Sequence, residues 1–317
     1  MESAPILYLV VPCYNEHEVL PETSERLGNL LKSMVGDGLV GDRSRVLFVD
    51  DGSRDDTWSI ISRLVEEQTC FCGVKLAANS GHQNALMAGL LVAKEHADIT
   101  VSIDADLQDD IHVIPEMVRK YGEGCDIVCG VRKKRVTDTW FKRTTALGFY
   151  RLMHALGVKT VYNHADFRLM SRRAVAQLEE YVERNLFLRG IVPLIGYKVG
   201  MVYYDRSERT AGESKYPLSK MISFAIDGVT SFSTKPVHMV FFLGLMFLVI
   251  AVGILAYVLW EYVTDNVVAG WASVMLSVWF GFGCVLVSLG IIGEYIGKIY
   301  IESKHRPRFN IEKTQMK

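Results

Sequence analysis

Two aspartates separated by a single residue, Asp104 and Asp106, carry the clearest chemical signal in this sequence. They follow the apolar, β-rich residues 99–103, so their carboxylates are predicted to lie side by side at the end of a buried strand. A hard divalent cation relieves the repulsion between such carboxylates, and Mg²⁺ or Mn²⁺ keeps further positions open for phosphate oxygens. Gln108 offers a third oxygen nearby. The spacing therefore predicts a metal site for a phosphorylated ligand, with two solvated loop acids as the alternative.

Four further polar clusters follow apolar runs, at residues 12–16, 50–53, 79–82 and 130–132. Each cluster alone has an ordinary explanation, because Asp-Gly-Ser forms turns and Asp or Ser caps helices. In a doubly wound α/β sheet, however, ligands bind at the carboxyl ends of the strands. Together with the two aspartates, five loops are therefore predicted to meet at one edge of a sheet.

A segment rich in cations follows the last of these clusters and contains a single acid, Asp138. A nucleic-acid partner is not indicated, because the chain has a formal net charge of -1 and no nucleic-acid-binding motif accompanies the segment. A solvated face is one interpretation. Binding of phosphate or of an anionic lipid headgroup is favoured, because the segment follows a ligand-side strand. The cations are Arg132, Lys133, Lys134, Arg135, Lys142 and Arg143.

Two more polar segments lie farther along the chain. Asp166 and Arg168 precede a helical stretch at 171–182, where Asp166 could cap the helix or pair with Arg168. Residues 208–216 form a loop of small residues with two cations. This loop could close over a diphosphate or serve as a flexible linker.

The elements that would position these residues alternate along the first 130 residues. Strands are predicted at 6–11, 45–50, 74–77, 99–103 and 126–129, and helices at 19–34, 57–66, 82–96 and 111–121. Strand and helix alternate four times, which predicts an α/β fold with a parallel sheet and right-handed crossovers.

The C-terminal third carries two uncharged apolar stretches, 237–260 and 270–293. As helices each would span about 35 Å, enough to cross a hydrocarbon core of roughly 30 Å. Two buried core helices are the alternative. Lysine and arginine flank the outer ends of the pair and are absent from the connection 261–269, so both ends are predicted to face the cytoplasm. Residues 216–236 are interpreted either as an interfacial helix on the membrane or as a packed connector.

The composition limits the class of protein. Of 317 residues half are hydrophobic and 22% are charged, with 35 Lys and Arg against 36 Asp and Glu. This composition excludes a disordered chain and a general polyanion binder. The six cysteines are irregularly spaced and no secretory signal precedes them, which indicates a reducing, cytosolic compartment.

Seven short segments, taken together, resemble one known family. They are VPCYNE at 11–16, VDDGSRDDT at 49–57, NSGHQNA at 79–85, DADLQDD at 104–110, ADFRLMSRR at 165–173, ERTAGESKY at 208–216 and GEYIGKIYIESKHRPRF at 293–309. The chain resembles the family 2 glycosyltransferases with the GT-A fold, in particular the polyisoprenyl-phosphate glycosyltransferases. That group includes dolichol-phosphate mannose synthases and bactoprenol glucosyltransferases. The ADFRL segment and the two-helix hairpin are most similar to the bactoprenol branch.

The resemblance implies a role for residues in several of these segments. Pro12, Tyr14, Glu16 and Asp51 would hold the nucleoside of a nucleotide sugar, whose phosphates Asp104 and Arg132 would help to bind. Asp104, Asp106 and Gln108 would hold Mg²⁺ or Mn²⁺ on the diphosphate. Phosphates of donor or acceptor would be contacted by Arg132, Arg209, Ser214 and Lys215, and also by Arg135, Arg143 and Arg168.

Asp166 matches the position proposed as catalytic base in inverting relatives, and with Asp106 and Arg209 it completes the implied catalytic set. A lipid phosphate, however, is already anionic near neutrality and scarcely needs to lose a proton. Asp166 is therefore expected to orient Arg168 or the sugar at least as much as to accept a proton.

The implied reaction transfers a hexose with inversion from UDP-glucose to undecaprenyl phosphate at the cytoplasmic face of the inner membrane. UDP-N-acetylglucosamine and GDP-mannose stay open as donors, and a non-catalytic, membrane-anchored subunit that binds sugar nucleotides is the alternative function. A homo-oligomer, by resemblance a tetramer, and a downstream flippase are expected, and nucleic acid is not. The implied organisation is a cytoplasmic GT-A catalytic domain at 1–215, a juxtamembrane segment at 216–236, transmembrane helices within 237–293 and a cytoplasmic basic tail at 294–317.

Overall fold

The computed structural model of the chain describes residues 4–132, 164–183, 188–205, 235–263 and 270–316. The chain divides into two compact units. A sheet unit comprises Met1–Leu147, Lys159–Tyr216 and Arg306–Lys317, and a helical unit comprises Gly148–Val158 and Pro217–His305. The predicted site residues that the structure describes all belong to the sheet unit.

The sheet unit is built on an eight-stranded mixed sheet within the described residues. Its strands are β1 Leu7–Cys13, β2 Arg45–Asp50, β3 Phe71–Leu76, β4 Ile99–Ser102, β5 Ile127–Arg132, β6 His164–Ser171, β7 Val199–Tyr204 and β8 Ile311–Gln315. Their spatial order is β7-β5-β6-β4-β1-β2-β3-β8. The helices of this unit are α1 Leu20–Gly36, α2 Thr57–Glu67, α3 His82–Lys94, α4 Ile114–Gly122, α5 Arg172–Glu179 and the short α6 Leu188–Ile191.

The five predicted strands and four predicted helices of the N-terminal part all form, with shifted ends. β1 pairs in parallel with β2 and with β4, and β2 pairs in parallel with β3. The five predicted strands run in the same direction, as predicted, but the sheet is mixed because β6 lies between β4 and β5 and runs antiparallel to both. β8 is also antiparallel, on the far edge beside β3. Neither of these two strands, at 164–171 and 311–315, is among the strands predicted from the sequence.

Helix α1 shows how the sequence pattern builds the core. Leu20, Leu27 and Leu31 lie on one face of the helix and are buried against the sheet. Burial of each side chain contributes about 1.5–3 kcal/mol to stability. Pro21 sits in the first turn, where its missing N–H removes no intrahelical hydrogen bond.

Helix α3 packs directly on the two central strands because one residue has no side chain. A Cβ built on Gly89 would lie 2.5 Å from Val10 Cγ1 and 2.6 Å from Val49 Cγ2. The close approach keeps the amino end of α3, with His82, beside the carboxyl ends of the central strands.

The helical unit contains α7 Lys235–Val263 and α8 Trp271–Ser303. Both predicted apolar stretches therefore form helices. Among the described residues, the segment Phe280–Ser303 is long and apolar enough to cross a membrane. This segment overlaps the predicted span 270–293 and extends beyond it, whereas a membrane crossing by residues 237–260 stays a prediction. The proposed interfacial segment 216–236 falls almost entirely outside the described residues.

Candidate active site at the carboxyl edge of the sheet

The loops that follow β1 and β2 are tied together by backbone-to-side-chain hydrogen bonds. The Asn15 amide donates to Ser53 Oγ over 3.0 Å, and the Arg54 amide donates to Asn15 Oδ1 over 2.9 Å. The Glu16 amide donates to Thr57 Oγ1 over 2.9 Å. Asn15 has a positive φ of 54°, a conformation that asparagine tolerates better than most residues. The two loops thus form one ordered wall at the sheet edge.

The four residues predicted to hold a nucleoside line this wall to different degrees. Pro12 is buried within β1, Glu16 is half-buried, and Tyr14 is 41% exposed at the edge. Asp51 is only 2% exposed, and its two carboxylate oxygens accept hydrogen bonds from the backbone amides of Ser80 and Gly81 over 2.7 and 2.9 Å. Asp51 therefore joins the β2 loop to the start of α3, and a contact with a nucleoside stays a prediction.

A glycine allows this junction to close. Gly52 has a φ of +64°, and a Cβ at this position would lie 2.7 Å from the Ala78 carbonyl carbon. Any larger residue would strain the turn and displace the β3 loop. The Asp-Gly-Ser segment is therefore more than an ordinary turn, because it brings two ligand-side loops together.

The turn that contains Asp104 and Asp106 is fixed by local hydrogen bonds. The Leu107 amide donates to the Asp104 carbonyl over 3.2 Å, and the Gln108 amide donates to Asp106 Oδ1 over 3.3 Å. Leu107 is buried and has a φ of 44°, a strained conformation that costs on the order of 1–3 kcal/mol and is typical of functional sites. Thr23 Oγ1 also donates to the Ala105 carbonyl over 2.6 Å. The turn that carries Asp104 and Asp106 is thereby fixed directly after β4, as predicted.

The electrostatics of Asp104 fit a cation. Loss of solvation raises the pKa of Asp104, and the nearby charges of Asp166, Asp109 and Asp106 raise it further, against the opposing effect of His82. His82 Nε2 lies 3.5 Å from Asp104 Oδ1. Within the described part of the chain, no three His, Cys, Asp or Glu side chains form a complete metal cage. Two carboxylates suit Mg²⁺ or Mn²⁺, because such an ion can fill its remaining coordination positions with water and phosphate oxygens.

Asp166 lies beside this turn and joins two arginines. The β4–β6 ladder ends at the pair Ser102 and Arg168, and in the turn that follows β4 the charge of Asp166 raises the pKa of Asp104. Arg168 Nη2 donates to Asp166 Oδ1 over 2.5 Å. Arg189 donates from Nε to Oδ1 over 3.3 Å and from Nη2 to Oδ2 over 2.9 Å. The predicted pairing of Asp166 with Arg168 is therefore present.

These charges determine the protonation state of Asp166. Burial alone would raise its pKa, but the positive charges of Arg168 and Arg189 outweigh burial and hold the pKa far below its usual range. Asp166 is thus a carboxylate near neutrality and a weak proton acceptor. Arg168, predicted to contact phosphate, is 2% exposed and faces Asp166 and the Leu188 carbonyl rather than solvent.

Arg189 was not among the predicted site residues. It lies in α6, whose first residue is anchored on both sides: the Leu188 amide donates to Gln83 Oε1 over 3.2 Å, and the Leu188 carbonyl accepts from Arg168 Nη1 over 3.4 Å. Gln83 Nε2 also donates to Asp166 Oδ2 over 3.3 Å. Nothing in the local sequence around residue 189 identifies this role, because its partner is 23 residues away.

Asp109 lies two residues before the predicted helix 111–121, and its side chain contacts residues of β5 and β7. Its Oδ1 accepts from Arg132 Nη2 over 2.9 Å and from the Tyr204 hydroxyl over 2.7 Å. Asp109 and Tyr204 are buried, and burial together with the charge of Asp109 raises the pKa of Tyr204. Asp110 instead caps the 3-10 turn Ile111–Val113, where its side chain accepts a hydrogen bond from the His112 amide. Arg132, which ends β5 rather than lying in a loop, is thus held by Asp109.

Five predicted phosphate-binding or catalytic residues lie outside the described residues. They are Arg135, Arg143, Arg209, Ser214 and Lys215. Their roles stay predictions.

Comparison with known proteins identifies the family. Residues 8–179 match the family described as Glycosyl transferase family 2. The uncharacterized glycosyltransferase YkoT of Bacillus subtilis (strain 168) is 53% identical over 313 residues, which cover 98% of this chain and 92% of that protein. The bactoprenol glucosyl transferase of Shigella phage SfV is 39% identical over 98% of this chain and 99% of that protein. The prophage bactoprenol glucosyl transferase homolog of Escherichia coli (strain K12) is 37% identical over 97% of this chain and 98% of that protein. The resemblance recognised in the sequence is confirmed, the mixed sheet carries the predicted GT-A fold, and the chain belongs to glycosyl transferase family 2.

Proposed function

We propose that this glycosyltransferase moves glucose from UDP-glucose to undecaprenyl phosphate at the cytoplasmic face of the membrane. Full-length relatives named bactoprenol glucosyl transferase support this assignment. The structural observation that carries it is the meeting of three carboxylates, Asp104, Asp106 and Asp166, with arginines at the carboxyl edge of one sheet. Charges of both signs at one edge suit a reaction in which phosphates arrive and depart.

The donor would occupy the wall made by the β1 and β2 loops and the turn after β4. Pro12, Tyr14, Glu16 and Asp51 would hold the nucleoside, and the diphosphate would extend towards Asp104 and Asp106. These two carboxylates, with Gln108, would hold Mg²⁺ or Mn²⁺, which when bound supplies counter-charge to the diphosphate. Arg132, oriented by Asp109 and Tyr204, would add a fixed positive charge on the same side.

The transfer is a single displacement. An oxygen of the acceptor phosphate forms a bond to the anomeric carbon of the hexose, the bond between that carbon and the UDP oxygen breaks, and UDP leaves with the electron pair. The configuration at the anomeric carbon is inverted. No proton has to be removed from an anionic acceptor, so Asp166 acts by holding its arginines in place rather than as a base.

The lipid acceptor explains why such an enzyme would be attached to a membrane. A polyisoprenyl chain stays in the bilayer, so the enzyme has to bind the lipid phosphate at the membrane surface. The apolar segment Phe280–Ser303 is suited to this attachment by its length and composition.

A donor panel tests the proposal. Membranes containing the full chain are incubated with undecaprenyl phosphate and, separately, with labelled UDP-glucose, UDP-N-acetylglucosamine or GDP-mannose. We expect label from UDP-glucose in the lipid phase. Label from another donor would correct the sugar, and no lipid label from any donor would favour a sugar-nucleotide-binding subunit without transferase activity on this lipid.

A further inference from the structure

We propose that the C-terminal strand β8 is a positioning element of the donor site, because it fixes the loop after β3 on which binding of the nucleoside diphosphate depends. This inference rests on the proposed function, since it concerns the donor of that same reaction. The seven family segments end at residue 309, so no motif assigns a role to the residues of β8.

β8 is part of the catalytic sheet although it lies at the end of the chain. It follows α8 in sequence but belongs to the sheet unit. It pairs antiparallel with β3 over residues 73–76. Lys75 Nζ also lies 2.9 Å from Glu312 Oε2. Among the described strands β8 is the only neighbour on this side of β3, so its loss would leave the outer backbone groups of β3 without a strand partner.

The contact between the C-terminal segment and β3 extends to the ligand end of the strand. The Ala77 amide, one residue beyond β3, donates to the Asn310 carbonyl, one residue before β8, over 2.9 Å. The register shifts between Lys75 and Leu76, which marks a bulge directly before this contact. Bulges bend a strand and are frequent next to active sites. The first residue of the β3 loop, residues 77–81, is therefore held by the C-terminal segment.

The other end of the β3 loop reaches the residues assigned to the donor. The amides of Ser80 and Gly81 donate to the carboxylate of Asp51, which is proposed to hold the nucleoside. The next residue is His82, the first of α3, and its Nε2 atom lies 3.5 Å from Asp104 Oδ1 at the proposed metal turn. The β3 loop thus joins the C-terminal segment to both parts of the donor site.

The position of Asp51 depends on this loop, because Asp51 is 2% exposed and both of its carboxylate oxygens accept hydrogen bonds from loop amides. Loss of the contact with Asn310 would let the loop backbone sample more conformations in the free protein. Binding of a nucleotide would then have to order the loop again. Ordering the backbone of one residue lowers an equilibrium constant about 5- to 30-fold.

A shortened chain tests this dependence. A chain that ends at Phe309 keeps α8 but lacks Asn310 and β8. Its dissociation constant for UDP is measured by titration calorimetry in detergent with saturating Mg²⁺, beside that of the full chain. We expect Kd to rise at least about tenfold, the effect of ordering about one loop residue on binding. A Kd within about twofold of the full chain would overturn the inference.

Asp126→Asn in the full chain is the control for a loss of stability alone. Asp126 precedes β5, at the opposite end of the strands from the ligand loops, where it accepts from Ser171 Oγ over 2.9 Å and pairs with Arg173. Asp126 is 5% exposed, so this variant should melt below the wild type. Its Kd for UDP should stay within about twofold of the wild type. A rise in Kd as large as that of the shortened chain would show that any destabilised fold binds UDP weakly, and would overturn the positioning role of β8.

Hydrogen exchange in the wild-type full chain gives a second measurement, which does not depend on folding of the shortened chain. Coupling between two sites is reciprocal, so if β8 strengthens the binding of UDP, then UDP stabilises the pairing of β8 by the same factor. We expect saturating UDP with Mg²⁺ to slow exchange of the β8 amides at least about tenfold, the same factor as the loss of affinity. Slower exchange at Ser80 and Gly81 with unchanged exchange in β8 would overturn the inference and leave the proposed function intact. Absence of UDP binding by the full chain would instead overturn the proposed donor, and this inference with it.

Discussion

Replacing Asp166 by asparagine keeps the size of the side chain but removes the carboxylate that Arg168 and Arg189 share. Breaking a buried ion pair by removing one partner costs about 3–5 kcal/mol, because the other charge stays buried. Arg168 is 2% exposed and bears most of this cost, whereas Arg189 is half-exposed and can be solvated. Asparagine still offers one accepting oxygen, so we expect the lower end of the range, about 3 kcal/mol.

Thermal unfolding of the full chain in detergent measures this loss. For a folded unit of this size each kcal/mol corresponds to about 2–4 °C, so Asp166→Asn should melt roughly 6–12 °C below the wild type. Asp56→Asn is the control, because Asp56 is exposed and its side chain makes no cap hydrogen bond to α2. A melting temperature of Asp166→Asn within about 2 °C of the wild type would refute the argument that Asp166 neutralises a buried arginine.

The ion pairs of Asp166 with Arg168 and Arg189 also make the stability of the fold depend on pH in a defined direction. The pKa of Asp166 is lower in the folded chain than in the unfolded chain, because Arg168 and Arg189 favour the carboxylate. Its contribution to stability is therefore complete above the unfolded pKa of about 3.9 and is lost as pH falls towards the folded pKa. The difference in melting temperature between wild type and Asp166→Asn should shrink on acidification below about pH 4.

Three further predictions concern the metal, the support of Arg132 and the membrane topology. Removal of divalent cations by a chelator should abolish transfer, and Mg²⁺ or Mn²⁺ should restore it; full activity in chelator would exclude a metal requirement. Asp109→Asn should reduce transfer at least about tenfold because it releases Arg132, whereas Asp110→Asn, which only changes a turn cap, should retain most activity; equal rates in the two variants would contradict the pairing. A cysteine at Asn266 in a cysteine-free background should react with an impermeant reagent added from outside the cell, whereas one at Gln315 should not, and the reverse pattern would contradict the topology.

The N-terminal elements were predictable because their signals are local. The leucines of α1 recur at helical spacing, and the apolar runs of β1 and β2 are bounded by turn residues. Each of these runs is buried between helices on both faces of the sheet, so its sequence is almost continuously apolar. In this part of the chain the hydrophobic pattern therefore predicts which segments are buried in the fold.

The strands that were missed have polar or mixed sequences for physical reasons. β6 carries Asp166 and Arg168 in the interior, where their mutual charge makes burial tolerable, and such a pair is indistinguishable from a loop in sequence. β8, with the sequence IEKTQ, is an exposed edge strand whose charges suit solvent, and Glu312 pairs with Lys75 of β3. β6 does supply Phe167, Leu169 and Met170 to the core, but Asp166 and Arg168 interrupt its apolar pattern, and the apolar residue of β8 is Ile311 alone.

The site was predictable where its residues are neighbours in sequence and not where they meet only in the fold. The turn containing Asp104 and Asp106 is complete within five residues. By contrast, Asp109 meets Tyr204 across 95 positions, and Leu188 meets Gln83 across 105. Such contacts have no counterpart in local spacing, so the partners of Arg132 and the placement of Arg189 required the structure.

The central claim is that the carboxylates after β4 support transfer of a hexose to a lipid phosphate, and one variant tests it most directly. Asp106→Asn keeps the shape of the turn while removing one negative charge from the site proposed for the donor diphosphate. The measurement is the rate at which label from UDP-glucose enters undecaprenyl phosphate with the full chain and saturating Mg²⁺. Taking the loss of one preorganised electrostatic partner as about 3 kcal/mol, we expect a rate at least roughly 100-fold below the wild type, with an unchanged melting temperature. A wild-type rate in Asp106→Asn would contradict the assignment of this turn as the centre of the reaction.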